Sequence, residues 1–221
     1  MGTIPQQRAD ARRNREAIVA AAKELFASEG IDCQMAEVAR RAGVGHGTVF
    51  RHFPAKRDLV VAVVEARMAD VLALAEEAVV AEDPVEAMRT FIGESVRIQI
   101  EDRGLKQMVA EHFHGEPRLV EGRNELLGRV AGLLDRCKAA GAIRQDVEPL
   151  DLVVLVNGVA AALAGLEELR PGLHRRYVAL ALAAMRPDAL GADDPLGPEA
   201  PSAAELDEVW RREALRGSGG C

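Results

Sequence analysis

Cysteine and aromatic residues are scarce in this chain of 221 residues. It has three cysteines, Cys33, Cys137 and Cys221, and one Trp and one Tyr, and aromatic residues make up 3% of the sequence. Because the cysteines are scattered and none forms a CxxC pair, the sequence predicts neither a disulfide framework nor a cysteine zinc site. The shortage of aromatic rings also argues against an aromatic cage for a cationic ligand.

Long apolar runs and strand-like patterns are missing as well. The longest apolar run, residues 152–166, is interrupted by Asn157 and is shorter than the roughly 20 residues that a membrane-spanning helix needs. No charged-then-apolar leader opens the sequence, so we expect a cytoplasmic protein without a membrane partner. No segment alternates apolar and polar residues as a strand does, and the sequence therefore predicts an all-α fold.

Negative charge is in excess, but it is unevenly distributed. The formal net charge is -7 at pH 7. Residues 1–57 contain ten Lys or Arg and six Asp or Glu, whereas residues 58–221 contain 18 bases and 29 acids. A basic end on an acidic chain indicates an anionic partner, although solvated helices can carry the same surplus. We interpret residues 1–12 as a flexible basic arm that either enters a DNA minor groove or stays solvated.

Apolar residues recur at helical spacing through most of the chain. They predict helices at about residues 13–29, 35–42, 46–53, from 56 onward, 84–101, 105–110, 118–140, 150–169 and 173–185. Residues 187–201 are rich in Pro, Gly, Ala and Asp and predict a linker. The capping-box pattern Ser202-Ala203-Ala204-Glu205 then predicts a helix to about residue 216. We divide the chain into an N-terminal domain (1–57), a larger helical domain (58–186) and a tail (187–221).

Residues 35–53 have the properties of a helix-turn-helix. A tight turn, Gly43-Val44-Gly45, joins two short helices, and we expect Val38, Ala39, Val44, Val49 and Phe53 to lock them together. The second helix presents donors with little bulk, which suits the major groove of DNA; these are His46, Gly47, Thr48, Arg51 and His52. A nucleotide-binding loop is disfavoured, because no strand precedes the glycines and no Gly-Lys-[Ser/Thr] follows them.

The run from Val38 to Lys56, VARRAGVGHGTVFRHFPAK, resembles the DNA-binding domain of TetR-family regulators. The family pattern is roughly I-A-x-x-A-G-V-s-x-G-x-[LVI]-Y-x-[HY]-F-x-x-K followed by Leu, here Leu59, and the resemblance covers about residues 13–67. It implies a homodimer that places one recognition helix per subunit in successive major grooves of a near-palindromic operator. The DNA contacts that it implies are Gln34, Arg40, His46, Gly47, Thr48, Val49, Phe50, Arg51, His52 and Lys56.

Two positions depart from the family pattern. Phe50 stands where Tyr is usual, so a hydroxyl that would bond a phosphate is lost while the ring can still pack. Gln34 stands at the expected N-cap of the second helix, where the family often has Thr. Because Gln is not among the favoured N-cap residues, we expect little capping from its side chain, although its amide could still reach a phosphate.

The segment 152–166 predicts a subunit interface, because a soluble helix that is apolar on all sides must be covered everywhere. The segment 173–185 would complete a four-helix bundle across a two-fold axis, and the family resemblance implies the same interface. A central helix in a monomeric core is the alternative. The predicted interface residues are Leu155, Gly158, Ala162, Gly165, Tyr177, Leu180 and Ala184.

The family resemblance also implies an effector site among the helices of residues 84–169. Candidate residues for it are Phe91, Arg97, Met108, His112, Phe113, Asn124 and Asn157. Asn157 is the leading one because it is alone in an apolar helix, but it could instead be a buried amide that bonds across the dimer.

His112 and His114, together with nearby acids, could hold zinc. Two histidines beside acids in a loop are common, so we assign no metal and no cofactor.

Three functions remain open at this point. The first is a ligand-responsive repressor, in which an effector changes the separation of the recognition helices through the long helix that begins near Lys56. The second is a DNA-binding dimer with no effector, whose C-terminal domain serves dimerisation or partner contact. The third is a helical metalloenzyme that uses His112 and His114. No nucleophile, base and orienting group can be assembled from the spacing, so we expect a regulator and not an enzyme.

Overall fold

A computed structural model describes residues 4–30, 33–101, 116–163, 165–189, 196–202, 204, 205 and 208. Within these residues the regular structure is entirely helical, as predicted. No helix in them is both long and apolar enough to span a bilayer. The helices are α1 (Ile4–Glu29), α2 (Met35–Ala42), α3 (His46–His52), α4 (Lys56–Val80), α5 (Pro84–Glu101), α6 (Pro117–Ala139), α7 (Pro149–Leu163), α8 (Leu166–Leu169) and α9 (His174–Ala184).

Helix α1 begins nine residues earlier than the apolar pattern predicts. The expectation of a flexible arm over residues 1–12 is wrong from Ile4 onward, because α1 starts there. Ion pairs one turn apart occur on this exposed stretch, Arg13 with Asp10 and Arg12 with Glu16. Such pairs stabilise a helix without any apolar face, so a search for apolar periodicity does not detect them.

The helices enclose two separate hydrophobic cores. The first core lies between α1, α2, α3 and the first half of α4, and it includes Ile18 and Phe26. The second lies between the end of α4 and helices α5, α6, α7 and α9, and it includes Met88 and Leu134. Residues 59–63 of α4 belong to the first core, and Ala75 and Ala78 to the second. One continuous helix therefore joins the two cores, and the boundary after residue 57 remains a prediction.

Helix α6 runs parallel to α4 and accompanies it along most of its length. Arg118 pairs with Glu65 at 3.1 Å, and Arg129 pairs with Glu76 at 3.3 Å. Between these pairs the helices touch at Gly122, where an added Cβ would lie 3.1 Å from Met68 Cγ. The absence of a side chain at Gly122 permits this close approach.

The start of α6 is also in contact with the first core. Leu119 packs against that core, and Glu116 pairs with Arg57 at 3.6 Å. Helix α6 is therefore a second connection between the two cores, beside α4.

Two other boundaries test the predicted helices. Asp83 caps α5, as predicted, with its carboxylate accepting from the N–H groups of Val85 and Glu86 at 2.9 and 3.1 Å. The single helix predicted over residues 150–169 is wrong, because α7 ends at Leu163 and α8 begins at Leu166. Glycine, here Gly165, is unfavourable inside a helix. The predicted helix at 105–110 lies outside the described residues.

Glu167 organises the connection from α8 to α9. Its carboxylate accepts from the N–H of Gly172 at 2.6 Å and from the N–H and ring Nδ1 of His174 at 3.0 and 2.8 Å. Burial acts to raise the pKa of Glu167, but these hydrogen bonds together outweigh it and hold the pKa below its ordinary value. The charged carboxylate is thus the form that fits this connection.

Candidate DNA-binding face and regulatory domain

The turn between α2 and α3 has the geometry that a helix-turn-helix requires. Helix α2 ends at Gly43, whose φ of 67° lies in the left-handed region that favours glycine. The N–H groups of Gly43 and Val44 close the helix end by donating to the carbonyls of Arg40 and Ala39 at 3.2 and 3.1 Å. Val38 and Val49 are fully buried between the two helices. The relative orientation of α2 and α3 is thereby fixed by packing.

The outer side of α3 is open to solvent over most of the predicted contact residues. His46, Gly47, Phe50 and Arg51 are exposed, and Thr48 is half-buried. The rings of His46 and Phe50 lie one turn apart with centroids 4.7 Å from each other, and Phe50 is 41% exposed. A large apolar ring that stays 41% exposed on a helix otherwise rich in donors fits a surface that contacts base edges and phosphates.

Val49 does not belong to this face. It was predicted both to lock the helix pair and to face the groove, and its side chain is completely buried in the first core. A side chain without exposed surface cannot contact DNA, so the DNA-contact assignment of Val49 is corrected.

The end of α3 and the start of α4 form one junction. His52 and Lys56 are half-buried there. The Arg15 guanidinium carbon lies 5.3 Å from the centroid of the Phe53 ring, a cation–π distance that ties α1 to this junction. Asp58 accepts from the N–H of Ala55 at 3.0 Å and caps the first turn of α4. The side chain of Lys56 is therefore carried by a well-fixed helix start.

Two predicted contacts lie on α2 and its N-cap. Gln34 occupies the N-cap position, is exposed, and makes no capping hydrogen bond with its side chain, as expected for Gln. Arg40 is exposed but held on its own helix, because its Nε donates to Glu37 Oε2 at 2.9 Å. That hydrogen bond is the main cause of the lowered pKa of Glu37. Arg40 would have to exchange this carboxylate for a phosphate to contact DNA.

In the part of the chain that the structure describes, the candidate effector residues do not form one cluster. Phe91 is buried in the second core. Arg97 and Asn124 are exposed in the single subunit, and Arg97 is held by Glu94 at 2.8 Å and by Glu101 at 2.6 Å. Asn157 is half-buried. Met108, His112 and Phe113 lie outside the described residues.

Two buried polar residues of the second domain escaped sequence reasoning. Ser95 is 3% exposed, and its Oγ makes no hydrogen bond to any described residue. Arg123 is 9% exposed and donates to Asn124 Oδ1 at 3.2 Å. The signal for Ser95 was its position one turn after Phe91 on the apolar side of α5.

Ser95 and Arg123 lie at a similar height in the domain. Helices α4 and α5 are joined by three residues, 81–83, and run antiparallel, so Ser95 and Met68 are both about three turns from the connection. Met68 in turn touches Gly122, the neighbour of Arg123. Buried polar groups are normally hydrogen-bonded. We therefore expect the Ser95 hydroxyl to have a hydrogen-bond partner at this height of the domain.

His112 and His114, weighed as zinc ligands and not assigned as such, lie outside the described residues. Elsewhere in the described part of the chain, no group of three His, Cys, Asp or Glu side chains is arranged to hold a metal ion.

An apolar surface covers one side of α7, α8 and α9. Among the predicted interface residues, Leu180 is 54% and Tyr177 39% exposed, and Gly158, Ala162, Gly165 and Ala184 are exposed too. Leu155 instead packs partly against the second core. Three more exposed apolar residues lie on these helices: Val154 and Leu166, which fall within the predicted segment 152–166, and Leu169, which the predicted interface did not include. We call Val154, Leu166, Leu169, Tyr177 and Leu180 the apolar face.

Arg136 joins α6 to the last turn of α4. Its guanidinium donates to the carbonyl of Val79 at 2.6 Å and that of Ala81 at 2.5 Å, and more weakly to that of Ala78 at 3.4 Å. Carbonyls at a helix end have no partner within the helix, so Arg136 satisfies them from outside. In the sequence, Arg136 looks like an ordinary base in the last turn of its own helix, and nothing local indicates this role.

Comparison with known protein families finds two matching models. One, described as bacterial regulatory proteins of the tetR family, matches residues 18–63. The other, described as the C-terminal domain of SbtR-like transcriptional regulators, matches residues 83–187. The first match spans the buried residues of the first core, and the second spans those of the second core except Ala75 and Ala78.

Individual relatives agree with these family models. A helix-turn-helix-type transcriptional regulator of Staphylococcus aureus (strain USA300) is 41% identical over 59 residues, which is 26% of this chain. The matching stretch spans 32% of that curated relative.

Solved structures match over much more of the chain. The TetR transcription regulatory protein from Mycobacterium vanbaalenii is 34% identical, with a TM-score of 0.64 over 81% of this chain and 99% of its own. TetR transcriptional regulator SCO0520 from Streptomyces coelicolor is 27% identical, with a TM-score of 0.65 over 79% and 99%.

Proposed function

Because the chain belongs to the TetR family of DNA-binding transcriptional regulators, we propose that it is a homodimeric repressor that a small-molecule effector releases from its operator. The observation that carries the proposal is helix α4, which packs in both cores. A change in the second core moves the first through this helix. The proposal includes an operator with two half-sites, one for each α3.

Operator binding by α3 is supported by the combination of exposure and rigidity. His46, Thr48 and Arg51 carry donors on a helix whose inner side is locked by Val49. Arg51 makes no ion pair with any described residue, so its charge is available to a phosphate. Phosphate contacts of this kind position a protein on DNA and make its affinity depend on salt.

Dimerisation through α7, α8 and α9 is supported by the apolar face. Exposed large apolar residues cluster there, and contiguous patches of this kind on soluble proteins mark interaction sites. The small residues beside them, Gly158 and Ala162, permit close approach of a second helix pair. The same face on two copies makes an isologous contact with two-fold symmetry, which is the symmetry that a palindromic operator requires.

An effector site in the second domain is supported by the layer of Ser95 and Arg123. A buried hydroxyl without a hydrogen-bond partner costs free energy; Ser95 has none among the described residues, and a polar ligand would supply one. Effector-driven release needs only a ligand that prefers one spacing of the two α3 helices. A coupling of about 1–3 kcal/mol would lower operator affinity roughly 5- to 150-fold.

The test is binding of the purified protein to the DNA upstream of its own gene across a salt series. The double variant Arg51→Ala/Lys56→Ala removes two charges from the proposed contact. It should lower affinity at least about ten-fold and reduce the slope of log affinity against log salt by about two. The control is Arg89→Ala/Arg175→Ala, which removes the same charge from exposed positions of the second domain and should bind like the parent.

The effector arm of the test uses the same DNA complex. Candidate metabolites are added, and release of the parent is compared with release of Ser95→Ala, which keeps the fold but lacks the buried hydroxyl. Weaker release of Ser95→Ala is the expected result. If the parent binds DNA in the salt-dependent way but no ligand dissociates it, the alternative holds, a DNA-binding dimer whose C-terminal domain only dimerises. Equal binding of the parent and the Arg51→Ala/Lys56→Ala variant would refute the α3 interface itself.

A further inference from the structure

A groove opens at the end of the second domain that is remote from α3. It has a volume of about 580 Å³ and lies between the first turns of α5, the end of α6 and helix α9. Its floor is apolar and includes Met88, Ile143 and Leu182, and Arg89 lies at its rim. Because α6 runs parallel to α4 and ends beside the last turn of α4, this groove is far from the DNA-binding face.

The chain itself passes along this groove after α9. Pro187 and Asp188, which follow α9, form part of the groove wall. The chain then returns to the same end of the domain, where the N–H of Leu196 donates to Asp146 Oδ2 at 3.3 Å. Asp146 is three residues beyond Ile143 on the groove floor. Two points of the chain after α9 are thereby fixed beside the groove.

A helix start follows at Ser202. The N–H of Ser202 donates to Glu205 Oε2 at 2.7 Å, and Ser202 Oγ accepts from the N–H of Glu205 at 3.2 Å, which completes a capping box. The Ser202 N–H and the Ser202 hydroxyl, which donates to Glu205 Oε2 at 2.8 Å, both lower the pKa of Glu205. Residues 206, 207 and 209–221 lie outside the described residues, and their sequence places Leu206, Val209 and Trp210 at one-turn spacing. This spacing predicts one apolar side on the helix.

We propose that residues 202–216 dock as a helix on their own chain, with Leu206 and Trp210 in the groove. Four residues separate Ser202 from Leu206, which is about 6 Å along a helix. The six residue-to-residue steps from Leu196 to Ser202 can span up to about 20 Å, so the groove is within reach. A helix of this length is marginal in water alone, and a capped start with one apolar side therefore needs a surface to pack on. The groove offers that surface where the chain already lies.

The charges agree with this placement. Asp207 and Glu208 follow Leu206 in sequence, and the groove is lined by Arg89 and Arg186, which pair with Glu86 at 3.2 Å and with Asp188 at 3.0 Å. The acids of the tail would join these existing ion pairs at the rim, while the apolar side chains enter between them.

Trp210 is the only tryptophan in the chain, so its fluorescence reports this contact directly. In the full-length protein we expect a blue-shifted emission and a quenching constant for acrylamide several-fold below that of the urea-unfolded chain. Ala183→Arg fills the groove from an exposed position on α9 and should return emission and quenching to those of an exposed ring. Ala139→Arg, an exposed alanine of α6 that does not line the groove, is the matched control and should behave as the parent. Circular dichroism and thermal unfolding show that both variants keep the fold.

Mixing two variants distinguishes docking on the same chain from docking on a partner. Ala183→Arg supplies a tail whose own groove is blocked, and Trp210→Ser supplies an intact groove without the reporter. After subunit exchange, continued exposure of Trp210 supports the proposal, and recovery of protection shows that the tail docks on the partner. The proposal is also overturned if Trp210 of the parent is quenched like the unfolded chain, or if its protection survives Ala183→Arg.

Discussion

The guanidinium of Arg136 holds the last turn of α4 by donating to the carbonyl of Val79 at 2.6 Å. At its other end, the α4–α6 pair contacts the DNA-binding core through Leu119 and the ion pair of Arg57 with Glu116. Helices α4 and α6 are therefore tied together at both ends. A displacement of α6 in the second domain is carried to the first by two helices and not by α4 alone.

Removing the Arg136 side chain should destabilise the protein markedly. Arg136→Ala leaves the carbonyls of Val79 and Ala81 without their donor in a partly buried place, and we expect the free energy of unfolding to fall by about 2–3 kcal/mol. Arg136→Lys keeps one donor and should lose about half as much. Urea unfolding followed by circular dichroism measures both. The control is Lys138→Ala, two residues further on, and a loss as large as that of Arg136→Ala there would contradict the prediction.

Restoring a hydroxyl at position 50 should tighten operator binding. Phe50 is 41% exposed beside His46 on the outer side of α3, so Phe50→Tyr adds a donor without disturbing the core. One hydrogen bond to a phosphate is worth about 1–1.5 kcal/mol, which corresponds to roughly 5- to 12-fold in affinity. The measurement is operator affinity at fixed salt, with random DNA beside it. Unchanged affinity would show that the ring at this position does not approach a phosphate.

A charge on the apolar face should separate the subunits. Leu180→Lys places one buried ammonium from each subunit near the two-fold axis, and an uncompensated buried charge costs several kcal/mol. We expect the dimer dissociation constant to rise at least about 100-fold, which corresponds to 2.7 kcal/mol. Sedimentation velocity over a concentration series measures this. Val80→Lys, which changes an 81% exposed residue outside the face, should leave the dimer intact, and a parent that sediments as a monomer would rule out the interface.

The connection held by Glu167 should give a defined pH dependence. The pKa of this carboxyl is lowered from 4.5, so the charged form contributes stability that is fully present above pH 4.5 and is lost as pH falls through the lowered pKa. Glu167→Gln lacks this contribution. We therefore expect the parent to exceed the variant in free energy of unfolding by about 2 kcal/mol at neutral pH, with the difference shrinking in acid. If the difference in free energy of unfolding between the parent and Glu167→Gln did not change with pH, the effect would come from packing of the side chain and not from its charge.

The parts of the fold that could be predicted from sequence are those specified by nearby residues. The stripe on α2 and the Asp83-Pro84 start of α5 are local patterns, and both helices begin where predicted. The exposed apolar residues of α9 followed from the same reasoning, because a surplus of apolar residues over what one core can bury is visible in the sequence.

What could not be predicted depends on contacts between distant residues. The partners of Arg136 are 55 to 58 residues away, and no local signal separates it from a base that serves its own helix. Val49 was predicted both to lock the helix pair and to contact DNA. Only the packing of α3 on α2 shows that its side chain is buried in the first core. The effector site stays a prediction, because sequence does not tell whether a polar residue on an amphipathic helix faces a cavity or solvent, and Arg97 and Asn124 are exposed in the single subunit.

The continuity of α4 through both cores limits how this protein can be re-engineered. A hybrid repressor made by joining its first 57 residues to another regulatory domain would lose Leu59 and Val63, which complete the core beneath α3. A domain exchange is better made near Ala69 and Asp70 of α4. These two residues are exposed and lie between the part of α4 that is buried in the first core and the part that is buried in the second. Even with that junction, the new regulatory domain would need a residue equivalent to Leu119, which packs against the first core. DNA specificity and effector specificity can therefore be combined only when the two domains fit each other at this contact.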